Sequence, residues 1–361
     1  MARHPAAQSS RRSRQGVALI LGIETSCDET AVALVRDGRT VLANVIASQV
    51  AMHEQFGGVV PEQASREHVR AIVPALDQAR AEAKVGWDDV DAIAVTHGPG
   101  LAGALLVGVN VAKGLSFAIG KPLLGINHLE GHVYANWLET LEQEVEDPRF
   151  PLVAMIVSGG HSDLVLMRGH GDYLRLGRTR DDAPGEAFDK TARLLGLGFP
   201  GGPAIERAAR EGDAKRFRLP RAWLERDTLD VSFSGLKTAV LHQVRALSRG
   251  QAAGGPPALS SEDVNDVAAA FQDAVTDVLS ARVAEAAARW GAVQVALGGG
   301  VAANQALLER VQARCLVPVT CPPPRLCTDN GAMVASAGFF RYRDGQRDVL
   351  DLDILPSLPI A

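Results

Sequence analysis

Apolar positions along this chain fall into two recurring patterns: short unbroken runs bounded by small or polar residues, and longer stretches with helical spacing. Leu19 to Glu24 reads as a buried strand, Thr25-Ser26-Cys27-Asp28-Glu29 as a turn, and Thr30 to Val35 as a second strand. An object of the same design returns at Leu152 to Val157, with Ser158-Gly159-Gly160-His161 as its turn and Ser162 to Met167 as its partner. Two such hairpins point to duplicated halves facing one another. After the first come a strand at Val41 to Ser48, a helix within Pro61 to Ala83, a strand at Ile93 to Thr96 and a helix over Gly103 to Phe117. Leu123 to Ile126 then leads into a helix at His128. After the second hairpin, helices near Glu186 to Leu195, Ala204 to Arg210, Gly235 to Leu247 and Glu262 to Arg289 precede a strand at Val293 to Leu297. This is an α/β pattern, and ligands of open α/β sheets lie beyond the carboxyl ends of strands. Both hairpin turns and Gly298-Gly299-Gly300 fit that location.

The polar stretch Glu139 to Arg149 separates the halves and puts the boundary near Pro151, while Gln251 to Pro257 reads as a loop between two helices. Residues 1–16 carry Arg3, Arg11, Arg12 and Arg14 without an acidic residue and read as a disordered basic arm, with a transit peptide as the alternative. The expected organisation is that arm, an N-terminal lobe over 17–150, a C-terminal lobe over 151–345 and a tail over 346–361.

Composition narrows the class. A chain of 361 residues with 47% hydrophobic and 22% charged positions has material for two substantial cores, which excludes a disordered or fibrous protein. A net charge of −5 gives no global attraction for nucleic acid, so a polyanion must meet a local basic patch or a second protein. The basic segments are Arg11 to Arg14 and Lys215-Arg216-Phe217-Arg218-Leu219-Pro220-Arg221. Cys27, Cys315, Cys321 and Cys327 lack short paired spacing, which suits reduced thiols in a cytoplasmic protein. No apolar run reaches about 18 residues free of charge and glycine, so no membrane span is expected.

Candidate chemistry centres on His128-Leu129-Glu130-Gly131-His132. Imidazoles four residues apart on a helix point to one side and can grip one metal ion. In the zinc-protease pattern the glutamate directly follows the first histidine, whereas Glu130 stands two positions on, away from the metal-binding face. The spacing alone leaves open a metal pair or two histidines bonded to polar neighbours. Asp329, in Thr328-Asp329-Asn330-Gly331, reads as a helix cap unless it faces the histidines, when the three would leave open positions of the kind used by non-haem iron. Ser158, Gly159 and Gly160 can offer backbone N–H groups to a phosphate or acyl oxyanion, or serve only a tight turn. Asn304, after the glycine triplet, reads either as a cap or as a ligand to a base or ribose. Asp181, Asp182, Glu186, Asp189 and Lys190 crowd one helix entrance, where Asp189 can accept from a ligand hydroxyl or ammonium.

In their joint order these motifs resemble the bacterial tRNA N6-adenosine threonylcarbamoyltransferase family, once described as glycoproteases. The resemblance runs from about Leu21 to Phe340 and rests on Gly22 to Thr30, Gly57 to Glu62, His128 to His132, Val157 to His161, Gly185 to Lys190, Ser232 to Lys237 and Cys327 to Met333. It implies the duplicated actin-like ATPase fold, an α/β architecture with two lobes around a central cleft. It also implies that His128, His132 and Asp329 hold one divalent metal, iron(II) ahead of zinc, and that Ile156, Val157, Ser158, Gly159, Gly160, Asp189, Gly202, Glu206 and Asn304 bind the adenylate. The implied reaction moves threonylcarbamoyl from threonylcarbamoyl-AMP to N6 of adenosine 37 in tRNAs reading ANN codons. Glu29 or Asp28 is then placed to assist proton removal from the amine. Implied partners are tRNA, a paralogous actin-fold subunit (TsaB) and a small P-loop ATPase (TsaE). The chain departs from the family pattern at Asn127, where relatives carry another histidine, at Gly298, which enlarges a double glycine, and at Ala302, which replaces a serine. The rival readings are a small-molecule kinase on the same fold, a nucleotide-gated binding subunit and, least consistent with Glu130, a peptidase.

Overall fold

Each half is built on a central strand whose two faces are both covered, which is why its sequence is apolar throughout rather than alternating. In β1 (Leu19–Glu24), Leu19, Leu21 and Ile23 enter the outer core of the first lobe while Ile20 enters a core between the lobes. In β6 (Leu152–Val157), Val153, Met155 and Val157 enter the outer core of the second lobe, and Leu152, Ala154 and Ile156 the same central core. The computed structural model describes residues 17–56, 58–139, 145–221, 228–249 and 259–361. The basic arm at 1–16, the loop at 251–257 and part of the Glu139 to Arg149 stretch lie outside the described residues.

The first sheet continues with β2 (Glu29–Arg36), β3 (Thr40–Ser48), β4 (Ala92–Gly98) and β5 (Leu123–Asn127), in the order β3-β2-β1-β4-β5. The second has β7 (Ser162–Gly169), β8 (Asp172–Arg178), β9 (Gln294–Gly298) and β10 (Val319–Thr320), in the order β10-β9-β6-β7-β8. Read from β8, the second order repeats the first strand for strand, with the first two pairings antiparallel and the last two parallel in both. The duplication announced by the two hairpins therefore extends to whole sheets.

The helices, in chain order, are α1 (Val50–Glu54), α2 (Pro61–Ala83), α3 (Ala102–Ile119), α4 (His128–Tyr134), α5 (Pro184–Leu195), α6 (Gly201–Ala209), α7 (Ser234–Arg249), α8 (Ser261–Arg289), α9 (Gln305–Arg314), α10 (Pro324–Cys327) and α11 (Gly331–Arg343). Among the described residues α3 is long and apolar enough to cross a membrane; it packs on β4 and α2.

Two helices form the middle layer. α4 and α11 pack on each other, and α11 lies on β1, β2 and β4 although it follows the second sheet in sequence. Small residues permit this approach: a Cβ on Gly22 would stand 2.1 Å from the Gly331 carbonyl oxygen, and one on Gly338 would stand 2.5 Å from the Ala94 Cβ. A Gly22→Ala protein should lose about 1–3 kcal/mol of stability or more, because the opposing atoms are backbone and cannot rotate away. An unfolding midpoint equal to the unsubstituted protein's would show that α11 is not seated this tightly.

A candidate metal centre in an interlobe cleft

α4 starts immediately after β5, and Asn127 fixes the start twice over. Its Oδ1 accepts from Leu129 N at 2.9 Å, and its Nδ2 donates to the Pro359 carbonyl at 2.9 Å. All seven residues of α4 are buried. His128 and His132 stand on one side with ring centroids 4.7 Å apart. Glu130 points elsewhere, accepting from Arg341 at 2.6 Å and from Tyr173 at 3.1 Å, so it is unfit as a base beside the histidines.

Asp329 is not the cap of α11. Asn330 takes that place, its Oδ1 accepting from Met333 N at 2.9 Å, and Asp329 turns toward α4. Its Oδ1 lies 3.5 Å from His128 Nε2 and 3.2 Å from His132 Nε2. One donor atom from each of the three residues falls within 4.8 Å of the others. Both ring nitrogens of His132 are buried without a hydrogen-bond partner, even though Asp329 is 3.2 Å from one of them. A nitrogen close to a carboxylate yet misaligned for a hydrogen bond suits two ligands aimed at a common ion, so the donor set fits a divalent metal.

Electrostatics here already favour positive charge. Burial draws His128 down, but Asp329 and Glu24 outweigh it and hold the imidazole up to about 9. Burial raises Asp329, and the neighbouring imidazoles pull it further the other way, well below the carboxylate range. Burial, helped by His128 and His132, depresses His161 to about 4 and leaves it a neutral ring in the wall.

His128 and Asp329 border a cleft of about 580 Å³ between the lobes, with His132 buried behind them. Asp28 and Glu29 line it from the first hairpin turn, and Ser158, Gly159, Gly160 and His161 from the second. Burial, then Asp329 and Asp28, push Glu29 up to about 10, making it a hydrogen-bond donor near neutrality. A Cβ on Gly159, Gly160 or Gly202 would meet nothing within 4 Å. The carbonyls of Ser158 and Gly159 accept from Gly185 N and Glu186 N at the start of α5, both at 3.2 Å. Ser158 N already donates to the His161 carbonyl at 2.9 Å, so the N–H groups the turn keeps for a ligand are those of Gly159 and Gly160.

Farther along the cleft stand Asp189, Gly202, Glu206 and Asn304. Asp189 accepts from Gly201 N at 2.7 Å, and Glu206 from Gln305 N at 3.1 Å. Asn304 caps α9 through Leu307 N at 3.0 Å and also donates to Gln272 at 2.8 Å. Ile156 and Val157 are buried inside β6 behind the turn, with their side chains in the core, and do not line the cleft. Sequence reasoning passed over Gly100, Leu101 and Pro356, which also line it, because Pro356 arrives from a tail segment whose Leu355 N donates to His97 O at 2.8 Å. Two of the four cations in the basic segment near Lys215 are engaged within the protein, while Lys215 and Arg218 are exposed. Arg216 pairs with Asp263 at 2.7 Å and Asp266 at 2.6 Å, and Arg221 with Asp273 and with Asp277 at 2.7 Å, all on α8.

The profile of the TsaD family, tRNA N6-adenosine threonylcarbamoyltransferase, matches residues 40–336. A tRNA N6-adenosine threonylcarbamoyltransferase of Thermomicrobium roseum is 59% identical over 355 residues, spanning 95% of this chain and 97% of that protein. Proteins of the same name from Symbiobacterium thermophilum and Dehalococcoides mccartyi are 54% and 51% identical; each match spans 95% of this chain, with 97% and 99% of those proteins covered. Among solved structures, HypF of T. kodakarensis matches 91% of this chain and 48% of its own at a TM-score of 0.56 and 16% identity. Component A of the Acidaminococcus fermentans (R)-2-hydroxyglutaryl-CoA dehydratase matches 90% and 99% at 0.51 and 15%. At such identities these two speak for the fold alone, which is the actin-like ATPase fold. By its profile match and its near-full-length relatives, the chain belongs to the TsaD family of tRNA N6-adenosine threonylcarbamoyltransferases.

Proposed function

We propose that the chain transfers threonylcarbamoyl from threonylcarbamoyl-AMP to N6 of adenosine 37 in tRNAs reading ANN codons. The observation that carries the reading is the meeting of His128, His132 and Asp329 beside a cleft that an open glycine turn also lines. The adenine amine attacks the carbonyl of the mixed anhydride; the carbon–nitrogen bond forms, the carbon–oxygen bond to phosphate breaks, and AMP leaves with one amine proton lost. Since the leaving group comes ready made, the protein's work is to position, polarise and exclude water.

In this reading the N–H groups of Gly159 and Gly160, on the wall that Ser158 shares, hold the phosphate or developing oxyanion, while Asp189, Gly202, Glu206 and Asn304 take the nucleoside end. Ile156 and Val157 contribute through backbone only. Protonated Glu29 donates a hydrogen bond to the acyl group, and Asp28 is assigned as acceptor of the amine proton. The metal, with iron(II) preferred over zinc for its two imidazoles and one carboxylate, supplies Lewis-acid polarisation when bound.

With Arg216 and Arg221 engaged on α8, the acidic chain needs help to hold tRNA. We assign that help to the TsaB-type and TsaE-type partners in the cytoplasm. Val69 and Val73 on α2, with Leu106 and Phe117 on α3, are exposed and supply an apolar docking face on the first lobe. Labelled threonylcarbamoyl-AMP offered together with tRNA, a sugar and a peptide should label tRNA alone. Label in the sugar or the peptide would replace this reading with one of its rivals.

A further inference from the structure

The last residue of β1 is a carboxylate in an otherwise apolar strand. Glu24 is fully buried, and no Lys or Arg is among its recorded hydrogen-bond or ion-pair partners. Burial of an ionised group is costly unless each oxygen is satisfied, and here both are. Oε1 accepts from Ser26 N at 2.5 Å, while Oε2 accepts from Thr96 Oγ1 at 2.6 Å and lies 3.0 Å from His128 Nδ1.

We infer that Glu24 is a positioning residue for the metal centre, holding the proton of His128 on Nδ1 so that Nε2 presents its lone pair to the ion. This rests on the metal reading above. A carboxylate only accepts, so the nitrogen 3.0 Å from it is the one that must keep its hydrogen when the imidazole gives up the other proton to bind an ion. The opposite tautomer would set a bare nitrogen lone pair against Oε2. Ser26 Oγ, 3.1 Å from the same nitrogen, can share the Nδ1 hydrogen as a second acceptor. The other nitrogen, Nε2, is the one facing Asp329. Outer carboxylates of this kind fix the tautomer and ring plane of metal-bound histidines and raise their basicity. His132 has no such partner, since its Nδ1 is buried without a hydrogen bond. The orientation of the pair is therefore set through His128, from the end of a strand in the first sheet.

Glu24→Gln tests the assignment because an amide cannot satisfy all three donors. With its oxygen toward Ser26 N, the NH₂ faces Nδ1 and drives the proton to Nε2; with its oxygen toward His128, the NH₂ opposes Ser26 N. The variant should keep its unfolding midpoint within a few degrees, lose about 10- to 100-fold in zinc affinity, and show an altered visible spectrum when loaded with cobalt(II). Unchanged affinity and spectrum in Glu24→Gln, with metal bound normally by the unsubstituted protein, would overturn the inference and leave the metal centre standing. No metal uptake by the unsubstituted protein would overturn both. If Glu24→Gln does not fold, ¹⁵N resonances of histidine-labelled, zinc-loaded unsubstituted protein decide: a protonated Nδ1 on His128 supports the role of Glu24, and a protonated Nε2 with zinc on Nδ1 refutes it.

Discussion

His128→Ala and His132→Ala proteins should each emerge folded, without bound metal, and slower in threonylcarbamoyl transfer by on the order of 10²- to 10³-fold. The magnitude follows from losing Lewis-acid stabilisation worth several kcal/mol, at about 1.4 kcal/mol per decade of rate. Survival of the fold has a specific reason at His132: neither ring nitrogen makes a hydrogen bond, so alanine strands no donor or acceptor. Asp329→Asn should show the same defect more weakly, because the amide keeps an oxygen ligand but loses the charge, while the Asn330 cap is untouched. Elemental analysis of the purified variants, set beside single-turnover rates, is the measurement. Full metal content in both histidine variants would remove the centre from the protein.

Gly160→Val should separate binding from folding. A Cβ there would have nothing within 4 Å, so the added side chain should cost little stability. It would fill part of the space where the acyl-adenylate is placed, and calorimetry should find binding weakened at least about tenfold, or ~1.4 kcal/mol. Gly185→Val supplies the contrast. There a Cβ would stand 2.7 Å from the Ser158 carbonyl oxygen and 2.7 Å from the Gly159 Cα, so the clasp between the turn and α5 should open and the unfolding midpoint should fall. Undiminished adenylate binding by a folded Gly160→Val protein would displace the ligand from this wall.

Much of this architecture was legible wherever local pattern and burial agree. Both hairpins stood out because β1 and β6 are apolar on two faces, and the four-residue histidine spacing placed two donors on one side of α4. β8 was missed because it is largely exposed and carries Arg175 and Arg178 where alternation would be sought; β10 and α1, with two and five residues, are too short to leave a period. Asp329 was undecidable because it adjoins Asn330, and either side chain can cap a helix; only the path of α11 shows which one does. Glu24 did leave a signal, a carboxylate closing a buried apolar run, but its partners Thr96 and His128 come from distant segments.

The seating of α11 on the first sheet also bears on how the protein is made. The inner face of that sheet, including Ile20, Ala33, Ala92 and Ala94, shares a core with Met333, Ala335 and Ala337 of α11. A ribosome releases these helix residues only after every strand of both sheets, so the first lobe waits through most of translation with an apolar face uncovered. Contacts this distant in sequence are slow to form, and exposed sheet faces associate with other chains in the meantime. The first lobe is thus a unit of architecture but not of folding: a fragment ending near residue 150 should need a chaperone or aggregate, and the whole chain should share that need until α11 docks.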